Sequence, residues 1–195
     1  MRLWLIDGSY LYTAQRSIDD RYQFDYLKLR RKLEETGTIW RAYYLNAARN
    51  PSATSQDPFH TWLRSAPPRG PQIITKIYPL RPLRADRAYC EQCQAQVSVA
   101  CPNSPDHSLG NEEQKGVDVG IATLALVHRD RYETLLLSSG DADLVDAIEF
   151  LSEVGKRIEL AVFHEGVSTE LQARADRVHW IDDFADEVRR DDMRR

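Results

Sequence analysis

Four aspartates at the ends of short apolar runs carry most of the chemical information in this chain. Asp7 follows Leu3-Trp4-Leu5-Ile6 and precedes Gly8, while Asp141 and Asp143 follow Leu135-Leu136-Leu137-Ser138-Ser139-Gly140. Asp118 stands in Lys115-Gly116-Val117-Asp118, at the start of a stretch that runs to Val127 without another charge. An apolar run of strand length that stops at glycine and aspartate reads as a buried strand of a parallel sheet. In open α/β sheets, ligands and catalytic groups collect at the carboxyl ends of such strands. Carboxylates delivered there by different elements would face one another across a cleft. That is costly unless a hard divalent cation held by oxygen ligands, Mg2+ or Mn2+, lies between them. Such a cation lowers the pKa of a bound water and stabilises negative charge that develops on an oxygen. Serine, cysteine and histidine nucleophiles do not compete, because no motif positions a basic partner for any of them. For each aspartate alone, capping a helix is an equally good account, since Asp is a preferred N-cap. Four of them at element ends point to a metal site.

Holding these groups together requires alternating strands and helices. The pattern predicts strands at 2–6, 38–45, 72–78, 134–139, 158–163 and 178–181. Helices are expected from about Tyr10 and at 24–36, about 55–65, 117–128 and 142–154. Thr169 and Gln172 suggest a capping box for a further short helix, and 182–192 reads as an acidic, fraying one. Residues 46–58 hold Asn, Pro and Ser and read as a loop, and Pro67-Pro68-Arg69-Gly70-Pro71 breaks the chain. Val117, Ile121, Leu124 and Val127 keep helical spacing in a stretch with one charge, which implies a buried helix. The fold class is therefore α/β: a doubly wound, mainly parallel sheet of about five to six strands with helices on both faces.

Asp7-Gly8, Lys115-Gly116-Val117-Asp118 and Ser139-Gly140-Asp141-Ala142-Asp143 resemble, in order and spacing, the motifs of the NYN domain. That family belongs to the PIN-like nucleases, and its LabA-like branch looks most similar. Gly155-Lys156-Arg157-Ile158-Glu159-Leu160 looks like the strand after the acidic helix. Ser168-Thr169-Glu170-Leu171 and Ala175-Asp176 look like the family's closing helix and the residues before its last strand. The resemblance covers most of 1–184 as one PIN-like domain, with an insertion at about 79–113 and a charged tail at 185–195. It implies a divalent-metal-dependent ribonuclease in which Asp7, Asp118, Asp141 and Asp143 are catalytic and hold Mg2+ or Mn2+. RNA, single-stranded or structured, would be the substrate. Ser9, Tyr10, Lys115 and Ser139 flank the motifs and are candidate substrate contacts. The family's first motif usually reads Asp-Gly-x-Asn, and Tyr10 stands where that Asn would fall. The alternative reading, an RNA-binding or regulatory module with a decayed catalytic site, rests on that departure. A doubly wound nucleotide-binding domain is weaker, because no turn after a strand carries a glycine-rich phosphate loop.

A net charge of −4 does not advertise a nucleic-acid binder. Its distribution says more: Arg64, Arg69, Lys76, Arg81, Arg84 and Arg87 face only Asp86 across 64–87, a basic stretch suited to phosphates or else a solvated loop. Tyr10 and Tyr12 could stack on bases, and Tyr12 could equally be core. No segment approaches the roughly 20 apolar residues of a membrane span. Without a signal segment, an odd number of cysteines fits a reducing cytoplasm better than a disulfide framework. A homo-oligomer is compatible with the sequence.

All three cysteines fall in the insertion, as Cys90-x2-Cys93 and Cys101, with His107 after them. Together they read as a Cys3His structural zinc site, separate from the carboxylates because thiolates suit Zn2+ and carboxylates suit Mg2+ or Mn2+. Free cytosolic thiols in a loop are the alternative.

Overall fold

The computed structural model describes residues 1–49, 57–104 and 106–191. The middle of the expected loop at 46–58 and the end of the expected tail, 192–195, lie outside them. In chain order the elements are β1 (Arg2–Asp7), α1 (Gly8–Ala14), α2 (Tyr26–Glu34), β2 (Ile39–Ala48), α3 (Pro58–Arg64) and β3 (Ile74–Pro79). Four short strands follow: β4 (Arg81–Arg84), β5 (Arg87–Cys90), β6 (Ala95–Ser98) and β7 (Gly110–Glu113). The chain continues through α4 (Val117–Val127), β8 (Thr134–Ser138), α5 (Val145–Glu153), β9 (Arg157–Val162), α6 (Thr169–Arg174), β10 (Arg177–Trp180) and α7 (Ala185–Val188).

Six strands form one sheet in the order β10-β9-β8-β1-β2-β3, every pair parallel. From the β3 edge, the chain order is 3-2-1-4-5-6, the doubly wound arrangement. The order reverses between β1 and β8, so the ligand crevice of such a sheet opens beyond Asp7 and Ser138.

β1 is buried along its whole length, and its alternating side chains serve two cores. Leu3 and Leu5 pack with Val117 and Ile121 of α4 and Ile148 and Leu151 of α5. Trp4 and Ile6 pack with Leu11, Leu29, Leu33, Leu63 and Phe163 on the opposite face. The Trp4 indole N–H donates to Ser138 Oγ at 3.0 Å, stitching β1 to β8 one residue from the crevice. At the other end Arg2 is buried and donates to Glu159 at 3.2 Å and to the Leu33 and Gly37 carbonyls. His179 meets the same Glu159 oxygen at 3.0 Å.

Several expectations change. α4 buries Val117, Ile121, Leu124 and Ala125 but leaves Val119 70% and Val127 68% exposed, so it is covered on one side only. The cap of α6 is Ser168, whose Oγ accepts from the Leu171 N–H, because Thr169 already lies inside the helix. Residues 185–188, expected in a charged tail, pack instead: Val188 is fully buried and its carbonyl accepts from the Asp25 N–H at 2.8 Å. The helix predicted over 182–192 is a 3-10 turn (Ile181–Phe184) followed by the single turn of α7. The insertion is two small antiparallel pairs, β4 with β7 and β5 with β6. Among the described residues no helix is long and apolar enough to cross a membrane.

Candidate active site

The last residue of β1 is also the N-cap of α1. Asp7 is buried, and its Oδ1 accepts from the Ser9 N–H at 2.9 Å, the Ser9 hydroxyl at 2.8 Å and the Tyr10 N–H at 3.1 Å. None of these bonds uses Oδ2. Gly8 gives room here, because a Cβ would come within 2.3 Å of Tyr44 Cζ.

Across the switch point, β8 ends at Ser138 and the chain turns through Ser139 and Gly140. Asp141 caps a short 3-10 turn, its Oδ1 accepting from the Asp143 N–H at 2.9 Å. Ser139 is fully buried and its Oγ accepts from the Asp141 N–H at 3.3 Å, so it orders the turn from beneath. Gly140 cannot carry a side chain, because a Cβ would overlap the Gly166 carbonyl oxygen. Asp141 and Asp143 are exposed.

Asp118 sits in the first turn of α4, after Gly116 in a left-handed conformation (φ 92°). Its carboxyl is held above the usual carboxylate range, first by burial, then by the charges of Asp141 and Asp7 and more weakly Asp143. A hydrogen bond from its own backbone N–H works in the opposite direction. Asp118 therefore feels the other three aspartates, although three different parts of the chain supply the four. Among the described residues none of the four forms a salt bridge with lysine or arginine.

Whether these groups suit a cation is a question of donor chemistry. Four carboxylates without a salt bridge among the described residues are hard oxygen donors of the kind Mg2+ and Mn2+ select. Among the described residues no three His, Cys, Asp or Glu side chains stand close enough to hold a metal ion between them. Mg2+ does not need such a cage: it keeps several waters and binds through one or two carboxylates plus substrate phosphate. The residues fit the ion on those terms.

The candidate substrate contacts divide. The Ser9 hydroxyl lies in the crevice, donating to Asp7 and accepting from Gln114 Nε2 at 3.4 Å. Lys115 is half exposed and paired with Glu113 at 3.0 Å. Tyr10 is instead a clamp. Its hydroxyl donates to the Phe163 carbonyl at 3.0 Å, and its ring lies against Gly140 and Gly166. Burial pushes its phenol well above the usual range. Tyr12 is 58% exposed, with Arg16 over its ring at 4.9 Å. The basic residues of 64–87 spread over α3, the turn after it, β3 and the insertion, where Arg81 is in register with Glu113 of β7.

In the insertion, Cys90 and Cys93 come together at the turn between β5 and β6. Backbone and side-chain hydrogen bonds from Cys93 lower the Cys90 thiol pKa. Cys101 Sγ and His107 Nδ1 face each other at 3.5 Å. The four expected ligands thus form two pairs rather than one closed set.

Sequence reasoning missed Gln114 beside Ser9, and a cavity of about 850 Å³ bordered by Gly8 and Ser9 and lined with aromatic rings. The rings come from elements far apart in sequence, so no local pattern announces it.

The family model for the NYN domain matches residues 3–182. The chain is also similar in fold to the crystal structure of a protein of unknown function from Vibrio parahaemolyticus. That match has a TM-score of 0.64 and 20% identity and covers 97% of this chain and 95% of the other. No curated protein matches the chain.

Proposed function

The chain belongs to the NYN domain family, whose members are generally nuclease-like, and from that premise we propose a divalent-metal-dependent ribonuclease acting at Asp7, Asp118, Asp141 and Asp143. The observation that carries this reading is the Asp118 carboxyl, held up first by burial and then by the charges of the three other aspartates, none of which forms a salt bridge with lysine or arginine among the described residues. One or two Mg2+ or Mn2+ ions would supply there an acidified water and neutralisation of phosphate charge.

The protein's own contribution is positioning. Asp7 is locked by three hydrogen bonds to one oxygen, and Asp141 by the turn that Ser139 orders. Preorganisation of this kind avoids reorganising charges during the reaction. The Ser9 hydroxyl, held between Asp7 and Gln114, and Lys115 are the groups we assign to substrate phosphate. Cys90, Cys93, Cys101 and His107 remain our assignment for a structural zinc, which would have to draw the Cys90/Cys93 and Cys101/His107 pairs together, since among the described residues they form no closed set.

A second reading, an RNA-binding or regulatory module, has one observation in its favour. The residue at the family's Asn position, Tyr10, turns its hydroxyl to the Phe163 carbonyl rather than to the aspartates. Incubating the protein with single-stranded RNA and with DNA, in Mn2+ and in EDTA, separates the two. Mn2+-dependent RNA cleavage abolished by Asp141→Asn supports the nuclease; RNA binding with no cleavage in either condition supports the module.

A further inference from the structure

The cavity beside the aspartates is walled by rings in sequence. Tyr44 of β2 lies against Gly8, immediately after Asp7. Burial is the main influence that raises the phenols of Tyr44, to about 12, and of Tyr26, and the charge of Asp7 adds to it at both. Phe59 of α3 meets both, at 5.8 Å between ring centroids in each case, and Trp62 follows Phe59 at 6.1 Å with the ring planes 33° apart. Tyr12 of α1 borders the same space.

A core cluster would have closed over these rings. Tyr26 and Tyr44 form a buried floor, but Phe59 and Trp62 are only half-buried and Tyr12 is 58% exposed. The volume of about 850 Å³ matches a small-molecule site rather than a packing defect. Every nucleobase has a π-face, so ring faces bind bases without regard to sequence. Charge of both signs borders the space, Arg190 with Asp25 and Asp191, and Arg16 lies over the Tyr12 ring.

We infer that this cavity is a nucleobase subsite, which takes one unpaired base of an RNA strand whose adjacent phosphate lies at the aspartates. The inference rests on the proposed phosphodiester site at Asp7, which shares the Gly8 and Ser9 border with the cavity. A paired base cannot enter without leaving its duplex, so the subsite also gives the protein a preference for single strands.

The test is binding of a labelled single-stranded RNA, measured in EDTA. It uses the intact oligonucleotide and versions carrying one abasic nucleotide at successive positions, against wild type, Trp62→Ala, Trp62→Phe and Tyr12→Ala. One abasic position should weaken wild-type binding about tenfold, Trp62→Ala should lose a similar factor, and the two losses should not multiply. Trp62→Phe should recover most of the affinity. Tyr12→Ala, on an exposed residue, serves if Trp62→Ala does not fold, and should show the same insensitivity to the abasic position. Equal affinity for intact and abasic strands at every position, or unchanged binding by folded Trp62→Ala and Tyr12→Ala, overturns the subsite. Mn2+-dependent cleavage run in parallel separates the two readings. Cleavage indifferent to Trp62 and to abasic positions removes the subsite alone. Base-dependent binding without cleavage removes the nuclease and leaves the subsite standing.

Discussion

Replacing Asp141 by Asn removes one charge from the crevice and changes little else, so its consequences can be worked out term by term. Asn caps a helical turn about as well as Asp, and its side-chain oxygen can keep the bond from the Asp143 N–H at 2.9 Å. The cap contribution is therefore nearly unchanged. What disappears is repulsion: after burial, Asp141 is the largest influence holding the Asp118 carboxyl up. Asp141 is exposed and Asp118 half-buried, so solvent screens the pair, and relief is worth roughly 0–1 kcal/mol. For a domain of this size that is a rise of up to about 4 °C in melting temperature. The sign with pH follows from the raised pKa. A carboxyl that ionises less readily in the folded state weakens folding once pH rises through its folded value. The gain from Asp141→Asn is thus present at neutral pH and vanishes in acid, where Asp118 is protonated anyway. Activity should move the opposite way, falling by orders of magnitude if Asp141 is a metal ligand. The assays are melting curves from pH 4 to 8, NMR titration of Asp118, and RNA cleavage in Mn2+. The Asp118 midpoint should drop toward the ordinary carboxylate range. A stability loss above about 2 kcal/mol at neutral pH would refute the reasoning, because it would mean that the Asp141 charge is stabilising in the fold rather than repelled by its neighbours.

Tyr10→Phe should cost about 1 kcal/mol by removing the bond to the Phe163 carbonyl, whereas Tyr10→Asn, which restores the family residue, should cost about 2–4 kcal/mol by emptying the space beside Gly140 and Gly166, both read by calorimetry. Gly8→Ala should destabilise by about 1–3 kcal/mol, and much of the loss should return in Gly8→Ala with Tyr44→Leu, a double-mutant cycle in urea. Glu159→Gln should cost about 3–5 kcal/mol, since Arg2 stays buried without its carboxylate. Burial raises the Glu159 pKa, but His179 and Arg2 outweigh that and lower it, so its contribution is present above the ordinary carboxylate range and lost as pH falls. Elemental analysis should find about one zinc per chain, lost in Cys90→Ser, and three readily alkylated thiols in zinc-free protein would remove the zinc assignment.

The sheet was legible because its strands are buried on both faces and so appear as unbroken apolar runs closed by glycine and acid, as at Leu3–Asp7 and Leu135–Asp141. The bounds moved where a neighbouring residue offered better local chemistry. Ser168 displaced Thr169 as a cap, and β2 ran on to Ala48 because Asn46, Ala47 and Ala48 pair with β3. The apolar stretch of α4 implies a buried helix, but apolar composition cannot say how many sides are covered, and Val119 and Val127 are left in solvent. The terminal segment looked like a solvated tail from its charges, yet Val188 is an anchor in that run and docks beside Asp25. The aromatic cavity could not be read at all. Tyr12, Tyr26, Tyr44 and Trp62 belong to four elements, and only the tertiary fold brings them to one space.

For Asp7 and Asp141 the cap that each provides leaves room for the ligand role proposed above. Asp7 gives Oδ1 to the first turn of α1, and Asp141 gives Oδ1 to the Asp143 N–H, while neither uses Oδ2 in its cap. A carboxylate has acceptor sites enough for both duties, and capping fixes its torsion so that the second oxygen has a defined direction. The doubly wound order adds the rest. β1 and β8 are neighbours at the switch point, so two caps at the ends of adjacent strands face one crevice. Asp118 then arrives from the first turn of α4, which packs on β1 through Val117 and Ile121. On this view, selection for a sound helix start and for a carboxylate cluster act on the same atoms. Substitutions can separate them: Asn retains the cap and removes the charge, whereas Ala removes both. At Asp7, where three hydrogen bonds converge on Oδ1, Ala should cost up to about 2 kcal/mol more in stability than Asn, with cleavage abolished equally by either. If Asp7→Asn cleaved RNA at the wild-type rate, the cap would be the whole role of that residue.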